Sequence, residues 1–139
     1  MVLYMGNKTY IQKNFINKIY KAIELKTSLG TVLDPMIITD EDAVILYAND
    51  AMIQRVGYAI DEIVGRTPGE LWGNERDEYF YKDMWQTIKT KKQTFVANFT
   101  NKRKDGTYYN CDFKIYPVLD DNKNVSFFVG KELNFADSV

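Results

Sequence analysis

Near the start of the chain the apolar residues Ile11, Phe15, Ile16, Ile19, Tyr20 and Ile23 recur at three- and four-residue steps, with lysines between them. That period predicts an amphipathic helix over residues 9–25, ended by a linker at 27–31 that contains Gly30. The pattern then changes to short β-branched runs. Residues 36–39 and 44–48 flank the acidic turn Asp40-Glu41-Asp42 and read as a hairpin. Asn49 and Asp50 are N-cap residues for a short helix over 51–56, which Gly57 stops. A further helical turn over 59–64 closes at Gly65, and Pro68 suits the first position of a one-turn helix through Trp72. Residues 77–91 read as the second long helix, with Phe80, Met84, Trp85 and Ile88 on one face.

Three alternating segments follow. Residues 94–102 set Phe95, Ala97 and Phe99 against Val96, Asn98 and Thr100, and 108–116 set Tyr109, Cys111, Phe113 and Ile115 against Asn110, Asp112 and Lys114. Lys104-Asp105-Gly106-Thr107 is the turn between them; 120–124 is the next turn and 125–133 the last strand. A five-stranded antiparallel sheet satisfies this order most simply. The short helices cover one face and the amino-terminal helix lies outside it, an α+β arrangement. The predicted division is 1–30 for the helix and linker and 31–139 for the domain.

Composition narrows the function. The 139 residues, 45% hydrophobic and 27% charged, fit one globular core. No apolar run approaches the roughly 20 residues of a membrane span, and no secretory leader pattern stands at the amino end. A lone cysteine, Cys111, leaves no internal disulfide and fits a reducing compartment, so the chain reads as cytoplasmic. The absence of histidine excludes a Ser-His-Asp triad, histidine metal ligands and histidine-ligated haem. A net charge of -1 gives no electrostatic case for nucleic acid. The five lysines before residue 30, against Glu24 alone, read as the solvated exterior of the first helix.

Six short motifs, in order, carry a family likeness: Ile38-Thr39-Asp40, Tyr47-Ala48-Asn49, Gly57-Tyr58, Asp61-Glu62-Ile63-Val64-Gly65-Arg66, Asn101-Lys102-Arg103-Lys104-Asp105-Gly106 and Pro117-Val118. Over residues 34–133 the chain resembles a PAS domain, the sensory module of bacterial kinases, cyclases, chemoreceptors and transcription regulators. The resemblance implies the PAS fold, a sheet cupping a small cavity, signal output through terminal helices, and an ion pair between Glu62 and Lys104. It also implies a homodimer through the amino-terminal helix, and an output domain of a kinase, cyclase or chemoreceptor in a longer protein. Where many members carry an Asp-Ile-Thr signature, this chain has Asn134-Phe135-Ala136.

The resemblance also frames the ligand. In the light-oxygen-voltage subclass a cysteine of the one-turn helix attacks a flavin; here Pro68 stands at that position and Trp72 near a glutamine used to hold FMN. Redox sensors of the family that bind FAD lack that cysteine and look more like this chain around Trp85 and Asn101. Asn101 shares strand parity with Phe95, Ala97 and Phe99, so its amide either points into the apolar side toward a ligand or caps the strand end. Cys111 points the same way by parity, as a small hydrophobe or as a ligand contact. Trp72, Trp85, Phe95 and Phe99 either line a pocket or fill it. The leading expectation is a non-enzymatic sensor of a small ligand or redox cofactor, with FAD the candidate. A cofactor-free dimerisation and relay module is the alternative, and a small carboxylate-based enzyme the third reading.

Overall fold

A computed structural model describes residues 8–73 and 76–137, with the side chains of 8–12, Ile11 among them, outside that description. The chain runs α1 (Lys8–Leu29), β1 (Met36–Thr39), β2 (Ile45–Ala48), α2 (Asp50–Val56), α3 (Ile60–Ile63), α4 (Pro68–Leu71), α5 (Glu78–Trp85), a π-helical turn (Gln86–Thr90), β3 (Phe95–Lys102), β4 (Tyr108–Leu119) and β5 (Val125–Asp137). The five strands form one antiparallel sheet in the order β2-β1-β5-β4-β3. The predicted α+β architecture is therefore the one observed.

Strand alternation divides the core in two. Ile37, Phe99, Tyr109, Cys111, Phe113, Ile115 and Phe128 face α2–α5, whereas Met36, Ile38, Leu46 and Val129 face α1. Helix α1 covers that outer face with Phe15, Ile19, Ala22, Leu25 and Leu29, and Lys18 anchors it 3.1 Å from the buried Asp40. Ile23, which follows Phe15 and Ile19 at four-residue steps, nonetheless lies 43% exposed, as do Ile16 and Tyr20 at 45% and 62%. The helix also runs a turn beyond Leu25. There the hydroxyls of Thr27 and Ser28 donate to the carbonyls of Ile23 and Leu25, and Gly30 (φ 74°) ends it.

Asn49 carries the handover from strand to helix. Its Oδ1 accepts from the backbone N–H of Met52, as an N-cap does, and from that of Met36; its Nδ2 donates to the carbonyl of Asp34. Further on, the expected single helix over 77–91 widens after Trp85, where the Lys91 N–H reaches the Gln86 carbonyl five residues back. Met84 and Ile88 both stay buried across the change. Strand β5 passes the predicted end at Leu133 and takes in Asn134-Phe135-Ala136, with Ala136 and Asp137 paired to Asn110 and Tyr109. The implied ion pair is present: Lys104 Nζ lies 2.7 Å from Glu62 Oε2, joining α3 to the β3–β4 turn. The Lys104 hydrogen bond holds the Glu62 carboxyl below its ordinary range. Both side chains are exposed, so the contact orients the turn more than it stabilises the fold.

Candidate functional site

Between the inner face of the sheet and helices α4 and α5 lies a cavity of about 740 Å³. That falls in the range of cofactor and small-molecule sites, roughly 300–1,000 Å³. Strand alternation supplies one wall: Ile37 from β1, Phe99 from β3, Phe113 and Ile115 from β4, and Phe128 and Gly130 from β5. The helices supply the other, with Trp72, Tyr81, Met84, Trp85 and Ile88. The rings meet edge to face, Trp85 against Phe128 at 5.7 Å and Phe99 against Phe113 at 5.6 Å, as aromatic pairs prefer.

Of the residues singled out from sequence, Trp72, Trp85, Phe99 and Asn101 line this cavity. Phe95 does not. It stands behind Phe80, with ring centroids 5.7 Å apart. Cys111 is fully buried in the same core but is not part of the cavity wall either. Burial, and the nearby Glu132 carboxylate after it, push its thiol up to about 12. Pro68 lines the cavity at the position where the resemblance places a reactive cysteine.

Besides Asp42, Thr67, Glu78 and Lys82, three polar groups break the apolar lining. Thr39 sits at one edge. The Tyr81 hydroxyl is buried with no hydrogen-bond partner among the described residues. The third, Asn101, is 3% exposed and directed inward rather than capping its strand. Its Nδ2 donates to Glu132 Oε2 at 3.2 Å and lies 3.5 Å from the Tyr109 hydroxyl and 4.0 Å from Cys111 Sγ.

Glu132 is the centre of a buried polar network that sequence reasoning missed. Tyr109 donates its hydroxyl to Glu132 Oε2 at 2.5 Å, and Arg55 Nη1 lies 3.2 Å from Oε1. Burial raises the Glu132 carboxyl above its ordinary value, against the pull of Tyr109, Arg55 and Asn101. The phenol of Tyr109 is pushed up by burial and by the Glu132 charge. On its far side Arg55 stacks on Phe135, with the guanidinium 3.8 Å from the ring centroid, and its carbonyl accepts from Arg103 Nε. Arg103 in turn pairs with Asp137 at 2.6 Å. The network thus runs from the cavity wall to the carboxy-terminal end of β5. One signal for it was present in the sequence: Glu132 shares strand parity with Phe128 and Gly130, which face inward.

Comparison with known proteins agrees with this geometry. The sequence profile of the PAS domain matches residues 33–133. The chain belongs to the PAS domain family. This PAS domain is 29% identical over 101 residues to a nitrogen fixation regulatory protein of Klebsiella oxytoca, covering 73% of this chain and 20% of that protein. It is 28% identical over 124 residues to Phototropin-2 of Oryza sativa subsp. japonica, covering 87% and 14% respectively. The chain therefore spans a fifth or less of the length of these relatives. Among solved structures, the light state of the blue-light photoreceptor Aureochrome1 LOV superposes with a TM-score of 0.63 at 27% identity, covering 76% of this chain and 82% of that one. The sequence likeness thus extends to a regulatory protein and to phototropin, and the structural likeness is to a light-oxygen-voltage domain.

Proposed function

We propose that this PAS domain is a sensory module without catalysis of its own, which holds a flavin, FAD foremost, in the cavity. The carrying observation is the combination of a 740 Å³ space walled by aromatic rings with a buried Asn101 amide and an unpartnered Tyr81 hydroxyl at its edge. A buried polar group left without a partner costs about 1–3 kcal/mol, so a guest with polar ring atoms suits this site better than an apolar one. The aromatic residues would sandwich the ring system and exclude water from it, while Asn101 and Tyr81 would hold its polar rim. A bound flavin would supply reversible redox chemistry, which the protein only tunes. Asn101 connects through Glu132 to β5 and its carboxy-terminal end, and this favours output in that direction. In a longer protein the receiver would be an output domain of a kinase, cyclase or chemoreceptor.

The absorption spectrum of freshly purified protein tests the cofactor. Bands near about 375 and 450 nm are expected for an oxidised flavin. A colourless protein that also fails to take up added FAD or FMN would overturn the reading.

Flavin-loaded protein should form no cysteinyl adduct under blue light. Attack needs a sulfur within about 3–3.5 Å of the ring, yet Pro68 offers no nucleophile and Cys111 is outside the cavity wall, with its thiol also held protonated. Reversible bleaching that vanishes in Cys111→Ala would count against this.

The module also pairs with a second copy through α1 in this reading. The outward stripe Ile16, Tyr20 and Ile23 remains 45%, 62% and 43% exposed after the opposite stripe has covered the sheet. Light scattering should find a dimer that Ile16→Glu with Ile23→Glu converts to monomer, with the circular dichroism spectrum unchanged. A monomeric unaltered chain at tens of micromolar, roughly the range where weak apolar interfaces assemble, would dispose of the pairing.

A further inference from the structure

We infer that Lys18 is a positioning residue for the mouth of the cavity. Through Asp40 it fixes the β1–β2 turn, so the seating of α1 on the outer face of the sheet governs how fast a guest leaves the inner face. The inference rests on the proposed flavin reading for the guest, and on the structure for the hold on the turn. Asp42 and Ala43 of that turn, with Thr39 before them, line the cavity. Asp40 organises the turn. Its Oδ1 accepts from the backbone N–H of Asp42 at 2.9 Å and from that of Val44 at 3.0 Å. Its own N–H donates to the Val44 carbonyl, and its carbonyl accepts from the N–H of Ala43. The turn holds Ala43 at φ 67°, in the left-handed region that alanine keeps only where its surroundings impose it.

The other oxygen of Asp40 meets α1. Lys18 Nζ lies 3.1 Å from Oδ2 and 3.7 Å from Glu41 Oε1, and it is the only cation paired with Asp40 among the described residues. The Asp40 side chain is 6% exposed. Without the ammonium it is a buried charge lacking a counter-charge, and it can reach water only by tilting out of its site. Oδ1 moves with it, so the two N–H groups it holds are released and the turn relaxes around Ala43. At the mouth the turn meets a second lysine. Lys89 Nζ stands 4.0 Å from Asp42 Oδ1, but both side chains are more than half exposed, so water replaces that contact at little cost. The hold therefore comes from the outer face, and whatever lifts α1 loosens the mouth.

Amide hydrogen exchange and probe escape test this in the full chain. In Lys18→Met the N–H groups of Asp42 and Val44 should exchange at least about tenfold faster, while those of β3 and β4 rise far less. Lumiflavin, the flavin ring system without its tail, should leave Lys18→Met at least about fivefold faster in stopped-flow fluorescence. It should leave Lys89→Met within about twofold of the unaltered rate. Unchanged exchange at Asp42 and Val44 would overturn the inference. An increase of the same size throughout β3 and β4 would do so too, since Lys18 would then stabilise the whole fold and not the turn. Equal acceleration of escape in Lys89→Met would assign the effect to charge at the mouth and remove the role given to α1. Escape unchanged in Lys18→Met would show that the turn does not govern it. If lumiflavin fails to bind the unaltered chain, the flavin reading fails, while the two amides still decide the hold on the turn.

Discussion

Replacing Arg55 by methionine should destabilise the chain by about 3–5 kcal/mol at neutral pH and by far less in mild acid. The guanidinium is the cation of a buried pair, 3.2 Å from a carboxylate with no exposed surface, and removing one partner leaves the other charged and uncompensated. Methionine keeps much of the volume and the contact with Phe135, so the loss reports charge more than packing. The sign with pH follows from Glu132. Burial raises its carboxyl above the ordinary value of 4.5, so the folded chain holds the proton more tightly than the unfolded chain does. Stability from a raised group is complete below the unfolded value and is lost as pH rises through the folded one. Without Arg55 the folded value climbs further and that window widens. Urea unfolding at pH 7 and at about pH 4 should therefore show a large gap between variant and unaltered chain that closes in acid. A gap of the same size at both pH values would mean that Glu132 is not the group left stranded. The double variant with Glu132→Gln should recover part of the loss, because the neutral amide leaves no stranded charge while its oxygen can still accept from Tyr109 and Asn101.

Most of the fold was legible because the sheet is buried on both faces by different partners, and each strand declares its faces by alternation. Phe95, Ala97 and Phe99 against Val96, Asn98 and Thr100 is a two-residue period, and the order of elements left little choice of topology. What escaped depended on contacts distant in sequence. Asn134-Phe135-Ala136-Asp137 lacks a strand pattern of its own, and Phe135 and Asp137 are held there by Arg55 and Arg103 from elsewhere in the chain. The widened turn after Trp85 leaves no mark in a helical period, since Met84 and Ile88 keep their spacing. Helical steps group Ile23 with Phe15 and Ile19 without saying whether that stripe meets the sheet or a second copy, and only packing shows that the sheet takes Phe15 and Ile19 and leaves Ile23 outside. The site was half legible for a related reason. Alternation puts Phe99 and Asn101 on the inner side but does not say whether rings there enclose space or fill it. Glu132 was missed because a charged residue in a strand is ordinarily assigned to solvent, even though its parity pointed inward.

Gly130→Ala should leave the chain folded and, on the proposed flavin reading, close the cavity to that ligand. Gly130 lies in β5 between Ile37 of β1 and Ile115 of β4, in extended backbone, so an added Cβ is opposed by contact and not by dihedral strain. That carbon would stand 2.6 Å from Phe113 Cζ, 2.8 Å from Cε1 and 3.4 Å from Ile37 Cγ1. The two shortest contacts are to the far edge of one ring, so the ring moves before the sheet does. Phe113 lines the cavity beside Phe99, and the empty space there is where its ring can go. Overpacking of this kind costs about 1–3 kcal/mol, which thermal unfolding should register as a modest drop in Tm. The guest loses more, because the displaced ring occupies volume that a flavin would need, and one misplaced methylene in a fitted pocket already changes binding about 10–200-fold. Titration with FAD should accordingly show uptake reduced by at least about tenfold, with the far-ultraviolet circular dichroism unchanged. Adding Phe113→Val removes the ring that the new Cβ meets and should restore uptake. Full uptake by Gly130→Ala alone would show that the aromatic wall yields in some other direction and does not set the shape of the site.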